Sequence, residues 1–443
     1  MVKGPLAIQA SASRGGRRVI AALGRRSEAV LDGRTVARAA RIVAEVRSGG
    51  DRALLRLARR HDGADAKAAG DLVLGGAPPG EAEEGADRAA LPAGFAEALE
   101  RAIAAAERFH APQAPPARHG YRLAEDGVEL EERVAPLARV GVYVPGGRAS
   151  YPSTVVATVV PARLAGVREI VVATPPAAFR GSPALRHALR RLEVREVWGL
   201  GGAHAVAALA YGTATLQRVD KIVGPGNAWV TAAKRLVAGD VGIDGLAGPS
   251  EVIVVAGGAG ADPALIAADL LAQAEHDPLA TAVLITPERE LAKRVAVEVA
   301  RQLPALPTAA TARAALARHG AALVVGGWEE AFALVERLAP EHLQLVGAEA
   351  EARADLVIAA GAVFVGAATP EVFGDYIAGP SHVLPTCGSA RFASALGVED
   401  FLRRSHCVRF TAAAAARWAA AAACLADAEG LPAHAAAARR RMG

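Results

Sequence analysis

Two polar side chains at the end of an otherwise apolar helical segment are the first candidates for chemistry. In the stretch Gly248–Pro278, a loop containing Ser250 leads into an apolar strand, and a helix then begins near Asp262. Gln273 and His276 are three residues apart near the end of that helix, so they project from one face. Together an amide and an imidazole can bind a metal or a substrate. An ordinary polar helix end has the same pattern, and the pair alone does not distinguish the two.

A second candidate is the adjacent pair Glu341 and His342, which leads into a strand-like segment. A carboxylate can act as a general base and an imidazole titrates near neutral pH, so the pair could carry acid–base catalysis. The alternative is a histidine at a helix C-terminus, where the helix dipole favours a positive charge.

Three further residues could join these candidates. Asp375 lies in a stretch that continues to Ser381 and His382, and its Gly, Pro, Asp and His content without periodicity is typical of a shaped active-site loop. A helix cap is the other interpretation of this aspartate. Glu429 and His434 lie in the C-terminal tail, where surface positions are the ordinary expectation.

A mixed set of nitrogen and oxygen donors of this kind suits Zn²⁺ or another first-row divalent ion. The set consists of Gln273, His276, Asp375 and His434. Only the first two are paired locally, and spacing alone does not show that all four converge.

Three glycine-rich turns follow strand-like segments in the middle of the chain: Val142–Gly147, Gly199–His204 and Gly224–Asn227. Backbone N–H groups of such turns bind phosphates at the start of a helix, so the three together favour a nucleotide. A dinucleotide fingerprint would have a third glycine where His204 stands, and no acidic residue lies at the ribose-binding spacing. The turns alone therefore do not establish a standard dinucleotide fold.

Short apolar strands alternate with helices from Arg139 onward, which predicts the α/β fold class with parallel sheets. We expect two doubly wound Rossmann-like units, one of them discontinuous, and a helical C-terminal tail. Residues 64–91 are predicted to form a loop with one short strand, Asp71–Leu74. The predicted domains are 1–138 for N-terminal helices and the start of the first α/β domain, 139–249 for an inserted Rossmann-like domain contributing to nucleotide binding, 250–390 for the continuation of the first domain with the metal and catalytic residues, and 391–443 for a helical tail that makes a dimer.

Composition limits the possible partners. The chain has 443 residues, is 52% hydrophobic, and carries a net charge of only +4 with 4% aromatic residues, so a nucleic-acid partner is not expected. Cys387, Cys407 and Cys424 are scattered and odd in number, which favours a reducing compartment over a disulfide framework. No secretory signal is evident, and the alanine-rich run Thr411–Ala428 contains Arg417, which disfavours membrane insertion. We expect a cytoplasmic protein without a membrane segment.

Six segments in this order carry a resemblance to a known family. They are GVYVPGG with the following STVV, VDKIVGPGNAWVTAAKRLV, IDGLAGPSEVIVVA, ADLLAQAEHDP, APEHLQL, and GDYIAGPSHVLPTCGSARFASALGVEDF. Over nearly its whole length the chain resembles histidinol dehydrogenase, the zinc-dependent enzyme of the last two steps of histidine biosynthesis.

The resemblance implies a role for each candidate residue. Zn²⁺, one per subunit, would be bound by Gln273, His276, Asp375 and His434, the last from the partner subunit of a homodimer. The catalytic pair would be Glu341 and His342. Contacts to the substrate would come from Ser250, Gln273, His276, His342, Asp375, Glu429 and His434.

The resemblance also implies that Tyr143, His204 and Asn227 contact NAD⁺. His204 stands where the family usually has glutamine, and a neutral imidazole can donate or accept one hydrogen bond as an amide does. The loop Gly379–His382 also departs from the family's usual sequence.

The implied reaction is the four-electron oxidation of L-histidinol through bound histidinal to L-histidine, with reduction of two NAD⁺. Two alternatives remain open. One is a member of the family that oxidises another small amino alcohol or diol, and the other is a non-catalytic nucleotide-binding or scaffold protein.

Overall fold

The computed structural model describes residues 5–26, 31–75, 81–115, 120–147 and 150–442. Within these ranges the helices are α1 Arg14–Leu23, α2 Gly33–His61, α3 Glu81–Ala89, α4 Phe95–His110, α5 Pro152–Leu164, α6 Pro176–Gly181, α7 Pro183–Arg191, α8 Gly202–Tyr211, α9 Ala228–Val237, α10 Pro263–Ala274, α11 Arg289–Gln302, α12 Ala309–His319, α13 Trp328–Leu338, α14 Ala348–Glu351, α15 Glu371–Tyr376, α16 Ala412–Ala428 and α17 Pro432–Arg439.

The strands in the same ranges form three sheets. They are β1 Ile8–Ala10, β2 Val73–Gly75, β3 Arg122–Glu125, β4 Val128–Pro136, β5 Arg139–Tyr143, β6 Glu169–Thr174, β7 Glu196–Gly199, β8 Lys221–Val223, β9 Gly242–Ile243, β10 Glu251–Ala256, β11 Thr281–Thr286, β12 Ala321–Val324, β13 His342–Val346, β14 Ala362–Val365 and β15 Leu402–Phe410.

Sheet A is parallel throughout, in the order β1-β12-β11-β10-β13-β14. All six residues of β10 are buried because helices cover both faces of the sheet. Val252, Val254 and Ala256 pack into one core with α10, α11 and α12. Ile253 and Val255 point the other way, into a core with α13 and the end of α1.

Sheet B has the order β2-β7-β6-β5-β8-β9, parallel except for the antiparallel edge strand β2. One of its cores contains α2, α8 and α9, and the other contains α4, α5 and α7. Helix α2 is kinked at Gly50, whose φ of 52° favours glycine. Residues on both sides of this kink pack into the same core of sheet B.

Sheet C is a small antiparallel sheet in the order β15-β4-β3, and β15 leads into α16 and α17. The first tail helix, α16, leaves two large apolar side chains exposed: Trp418 is 57% and Leu425 is 69% accessible. The described helices of the tail therefore do not bury these side chains against the rest of the same chain.

The α/β fold class and the helical tail are confirmed, and two local expectations were wrong. Glu81–Ala89 is a helix where a loop was expected; residues 76–80 of that loop lie outside the described residues. The tail contains the nine-residue strand β15.

The predicted domain ranges can be placed on the three sheets. The described part of residues 1–138 supplies β1 to sheet A, β2 to sheet B, and β3 and β4 to sheet C. Sheet B otherwise comes from 139–249 and sheet A from 250–390. None of the helices within the described ranges combines the length and apolarity that crossing a lipid bilayer requires.

Candidate active site

The residues with catalytic potential meet at the edge of sheet A where its parallel strands begin. Strands β10 and β13 are neighbours, with Val252 opposite His342. Helix α10 runs back across the sheet, so its C-terminal end, with Gln273, lies at this same edge. Helix α15, which carries Asp375, packs against α10. Four separate segments of sequence thereby contribute side chains to one place.

The backbone of Glu251 holds both members of the Glu341–His342 pair. Its N–H donates to Oε2 of Glu341 at 2.8 Å, and its carbonyl oxygen accepts from Nδ1 of His342 at 3.1 Å. A carbonyl can only accept, so Nδ1 carries the proton and Nε2 of His342 is the free lone pair. That Nε2 lies 3.8 Å from Oδ1 of Asp375.

His276 is oriented in the same way. Its Nδ1 lies 3.0 Å from the carbonyl oxygen of Ala272, to which it donates, so its Nε2 is also a lone pair. This Nε2 is 3.9 Å from Oδ2 of Asp375. Two imidazole lone pairs therefore face one carboxylate with no proton between them, an arrangement that a cation would stabilise.

Gln273 adds an unsatisfied donor–acceptor group to this edge. It is 1% exposed, and neither atom of its amide has a hydrogen-bond partner among the described residues. Burying an unpaired amide costs about 1 to 3 kcal/mol, so a partner from outside the described chain is expected here. Gln273, His276 and Asp375 offer an amide oxygen, an imidazole nitrogen and a carboxylate oxygen, which are suitable ligands for Zn²⁺.

The structure does not bring the tail residues to this edge. Glu429 and His434 are exposed, and within the described residues neither side chain has a hydrogen bond or ion pair to Gln273, His276 or Asp375. No cluster of three or more His, Cys, Asp and Glu side chains that could hold a metal occurs in the described ranges. One chain therefore supplies only part of the predicted ligand set.

Burial changes the titration of the groups behind the edge. The pKa of Glu341 lies well above its usual range because of burial and then the nearby Glu251 carboxylate. Burial also lowers the pKa of His342, which Asp375 opposes, and so favours the neutral base. The carboxyl of Glu371, 1% exposed and without a hydrogen bond among the described residues, has a pKa raised by burial and then by Asp375.

His382 and Ser250 connect the edge to sheet B. Nδ1 of His382 lies 2.9 Å from the carbonyl oxygen of Asp375, and its Nε2 lies 3.3 Å from the hydroxyl of Thr154 on α5. Ser250 ends the connection from β9, at the carboxyl edge of sheet B, to β10, at the amino edge of sheet A. A cavity of about 680 Å³ opens beside His342, Asp375 and His382.

A second cavity, of about 640 Å³, lies at the carboxyl edge of sheet B. Its lining includes all three predicted cofactor residues, Tyr143, His204 and Asn227. The size is within the range of small-molecule pockets, about 300 to 1,000 Å³. Position and glycine content fit a nucleotide, because ligands of parallel α/β sheets bind at the carboxyl ends of the strands.

Two of the predicted cofactor residues, Tyr143 and Asn227, make hydrogen bonds to the chain around this cavity. The Tyr143 hydroxyl accepts from the N–H of Gly202 at 3.1 Å, and burial raises the pKa of Tyr143 to about 12. The Asn227 side chain caps α9 by accepting from the N–H of Trp229 at 3.0 Å.

His204 has a partner that the sequence did not suggest. Its Nε2 lies 2.6 Å from Oδ2 of Asp62, and the same oxygen accepts from the N–H of Gly201 at 3.0 Å. Asp62 follows α2 and lines the cavity, so it supplies an acidic residue at the glycine turn from outside the expected sequence spacing.

Comparison with known proteins identifies the family. The model of the family described as histidinol dehydrogenase matches residues 25–442. The chain belongs to the histidinol dehydrogenase family. The resemblance stated from the sequence and the assignment as an oxidoreductase are thereby confirmed.

Individual members of the histidinol dehydrogenase family agree with this. The histidinol dehydrogenase of Synechococcus is 47% identical over 402 residues, which cover 90% of this chain and 91% of that protein. The one from Geobacter sulfurreducens is 46% identical over 395 residues, which cover 89% and 90%. The crystal structure of histidinol dehydrogenase from Elizabethkingia anophelis has a TM-score of 0.83 at 29% identity, covering 99% of this chain and 98% of that one.

Four residues of this histidinol dehydrogenase family member were missed from the sequence: the buried Glu251 and Glu371, and Arg26 and Asp62, whose side chains are 10% and 8% exposed. Glu251 directly follows Ser250, and its position at the start of a fully apolar strand was a usable signal. Arg26 and Asp62 lie far along the chain from the residues they contact, so no local pattern could have indicated them.

Proposed function

We propose that this chain oxidises L-histidinol through histidinal to L-histidine and passes a hydride to NAD⁺ in each of two steps. One observation carries the proposal: the carboxylate of Asp375 faces the lone-pair nitrogens of both His276 and His342. This geometry supports a base for alcohol oxidation beside a group of proposed metal ligands.

The metal in this proposal is Zn²⁺, one per subunit, held by Gln273, His276, Asp375 and His434 of the partner subunit. When bound, it would fix the amine and imidazole nitrogens of the substrate and thereby orient the reacting carbon. The buried unpaired amide of Gln273 and the Nδ1-protonated form of His276 support this assignment. Ser250 and Glu429 complete the proposed substrate contacts.

His342 is the proposed base of the first step. Its Nε2 takes the hydroxyl proton of histidinol while the carbon transfers hydride to NAD⁺, which leaves the aldehyde. The hydrogen bond from Nδ1 to Glu251 keeps the basic nitrogen directed at the substrate side. The lowered pKa of His342, caused by burial, keeps the imidazole neutral and ready to accept this proton.

Glu341 is the proposed base of the hydration step. Oε2 is held by the N–H of Glu251, whereas Oε1 has no hydrogen bond within the described residues and can take a proton from water. The hydroxide equivalent adds to the aldehyde carbon, and the carbonyl oxygen takes the proton that His342 received in the first step, which gives the hydrated aldehyde. His342, having released its first proton, then removes a hydroxyl proton as the second hydride passes to a second NAD⁺, which yields the carboxylic acid.

The cavity at sheet B is the proposed NAD⁺ site, with contacts from Tyr143, His204 and Asn227. His204 replaces the usual glutamine of the family, and Asp62 fixes its ring. Closing both cavities to water would protect the aldehyde between the two oxidations.

A homodimer is part of the proposal. Glu429 and His434 are exposed on a tail that also presents Trp418 and Leu425 to solvent. A second copy that covers this tail would bury those side chains and deliver the missing ligand. Free thiols at all three cysteines support a cytoplasmic location.

The test is a steady-state assay of the purified protein with L-histidinol, with and without a chelator. Two NADH formed for each histidinol consumed, lost on chelation and restored by Zn²⁺, is the expected result. Turnover of a non-imidazole amino alcohol or diol but not of L-histidinol would instead assign another reaction to the same fold. Binding of NAD⁺ without turnover of any alcohol by the metal-loaded protein would indicate a binding protein.

A further inference from the structure

The side chain of Glu251 is a buried charged group that the proposed chemistry does not use. It is fully buried at the start of β10, beside the start of β13, where the reacting residue His342 lies. Oε1 accepts from the N–H of Glu341 at 3.2 Å and from the N–H of Cys387 at 3.1 Å. One carboxylate therefore connects β10 to the residue before β13 and to the loop that follows His382.

The cation beside Glu251 comes from the N-terminal segment. Nη1 of Arg26 lies 2.7 Å from Oε2 of Glu251, and the Arg26 side chain is 10% exposed. The two atoms are close but not aligned for a hydrogen bond, so the contact is an ion pair. Nη2 of Arg26 donates to the carbonyl oxygen of Leu338 at 3.1 Å, which fixes the guanidinium against the end of α13.

Such a buried ion pair is not explained by stability alone. Desolvating two charges is costly, and an apolar pair of similar size would often be as stable or more so. The position of this pair offers another reason, because Glu251 contacts both catalytic residues through its backbone and Glu341 through its side chain as well.

We propose that Glu251, neutralised by Arg26, is the positioning residue of the Glu341–His342 pair, so that the N-terminal segment is part of the catalytic apparatus. This inference rests on the proposed function, because it assigns Glu251 a role in that reaction. Glu251 touches neither substrate nor cofactor in this scheme. It acts by fixing the geometry and the charge next to Glu341.

The neighbouring carboxyl groups of Glu251 and Glu341 differ in their electrostatic surroundings. Arg26 and two backbone N–H groups lower the pKa of Glu251 against the larger effect of burial, whereas the charge of Glu251 adds to burial in raising the pKa of Glu341. The ion pair with Arg26, at 2.7 Å, favours the ionised form of Glu251, and the charge of Glu251 in turn favours the protonated form of Glu341. A base works only when ionised, so the hydration step gains rate as the pH rises through the pKa of Glu341.

Other titratable groups surround the Glu341–His342 pair, and the variants described below leave these groups unchanged. Asp375, Glu371, His276 and His382 face Glu341 and His342, and Cys387 lies beside Glu251. Asp269 lies next to Glu371. A difference in the pH profile of kcat between variants of Glu251 and Arg26 is therefore due to the change in this ion pair.

The experiment measures the pH dependence of kcat for the zinc-loaded enzyme with L-histidinal, which isolates the half-reaction that needs Glu341. Glu251→Gln removes a negative charge and leaves Arg26, so the acid limb should move to lower pH. Adding Arg26→Gln to that variant removes the opposing charge and should return the limb towards the wild-type position. Arg26→Lys, which keeps the charge, should leave the limb unmoved.

The matched control is Glu330→Gln, a charge-removing change at an exposed glutamate of α13 that lines a cavity together with Arg26. It should leave the pH profile unchanged. In Glu251→Gln, KM for histidinol and for NAD⁺ should stay within about twofold while kcat falls at least about tenfold, since only the base is displaced.

An acid limb that stays in place or moves to higher pH in Glu251→Gln would overturn the inference. If that variant does not fold, Arg26→Gln is tested in its place. An unchanged kcat in Arg26→Gln would equally overturn the inference. A lower kcat in Arg26→Gln, together with a wild-type kcat in Arg26→Lys, would support it. An inactive wild-type enzyme would instead contradict the proposed function, so the two failures are distinguishable.

Discussion

Lys234 gives a prediction whose size follows from its contacts. The side chain on α9 is 2% exposed, and its Nζ donates to the Gly224 carbonyl oxygen at 2.5 Å and to Oδ1 of Asp244 at 2.6 Å. Oδ2 of Asp244 accepts from the N–H of Gly224 at 2.7 Å. Lysine and aspartate thus close a buried ring around the turn Gly224–Asn227, which lies beside the proposed cofactor cavity.

Lys234→Met removes the cation and leaves Asp244 buried with no opposite charge. Breaking a buried ion pair from one side costs about 3 to 5 kcal/mol, and we expect a loss of that size in the free energy of unfolding. Urea unfolding followed by circular dichroism measures it. The double variant Lys234→Met with Asp244→Asn removes both charges and should recover at least about 2 kcal/mol of the loss.

Lys221→Met is the matched control, because the ion pair of Lys221 with Asp400 at 2.9 Å is more accessible, at 14% and 30%. Its loss should cost only about 1 kcal/mol or less. If Lys234→Met also changed the free energy of unfolding by less than about 1 kcal/mol, the account of the buried ring would be refuted.

Three further predictions concern the proposed sites. Gln273→Leu should lose zinc, measured by elemental analysis, while the metal-free protein becomes no less stable, since a buried unpaired amide that costs about 1 to 3 kcal/mol is removed. His434→Ala and His276→Ala should each be inactive, and verified heterodimers of the two should regain activity from one intact site; no recovery would contradict a shared site. Asp62→Asn should weaken NAD⁺ binding about tenfold, followed by the fluorescence of Trp229, because a charge-assisted hydrogen bond becomes a neutral one.

The fold could be predicted where local patterns repeat. Strands such as β10 and β11 are short apolar runs between turn residues, and each stands next to a helix of clear periodicity, so their α/β alternation is evident from the sequence. Strand β15 was missed because its hydrogen bonds go to β4, more than 260 residues earlier in the chain. A strand stabilised by so distant a partner has little signal of its own.

The candidate site was predictable in its residue types and not in its connections. Gln273 and His276 follow from helical spacing, and Glu341 and His342 from adjacency. The partners that orient them could not be read locally, because Arg26 meets Glu251 across more than 220 residues. The environment of His204 was hidden for the same reason, since Asp62 is 142 positions away.

The location of the chemistry also departs from the usual expectation for α/β folds. Ligands of open parallel sheets bind outside the carboxyl ends of the strands, and the cavity at sheet B follows that rule. Glu341 and His342 instead stand where β13 begins, at the amino edge of sheet A. The seven residues 244–250 join β9 to β10, and so they hold the carboxyl edge of one sheet near the amino edge of the other. In the proposed reaction, a hydride acceptor held by sheet B would reach a substrate held by sheet A because the carboxyl edge of one sheet lies near the amino edge of the other.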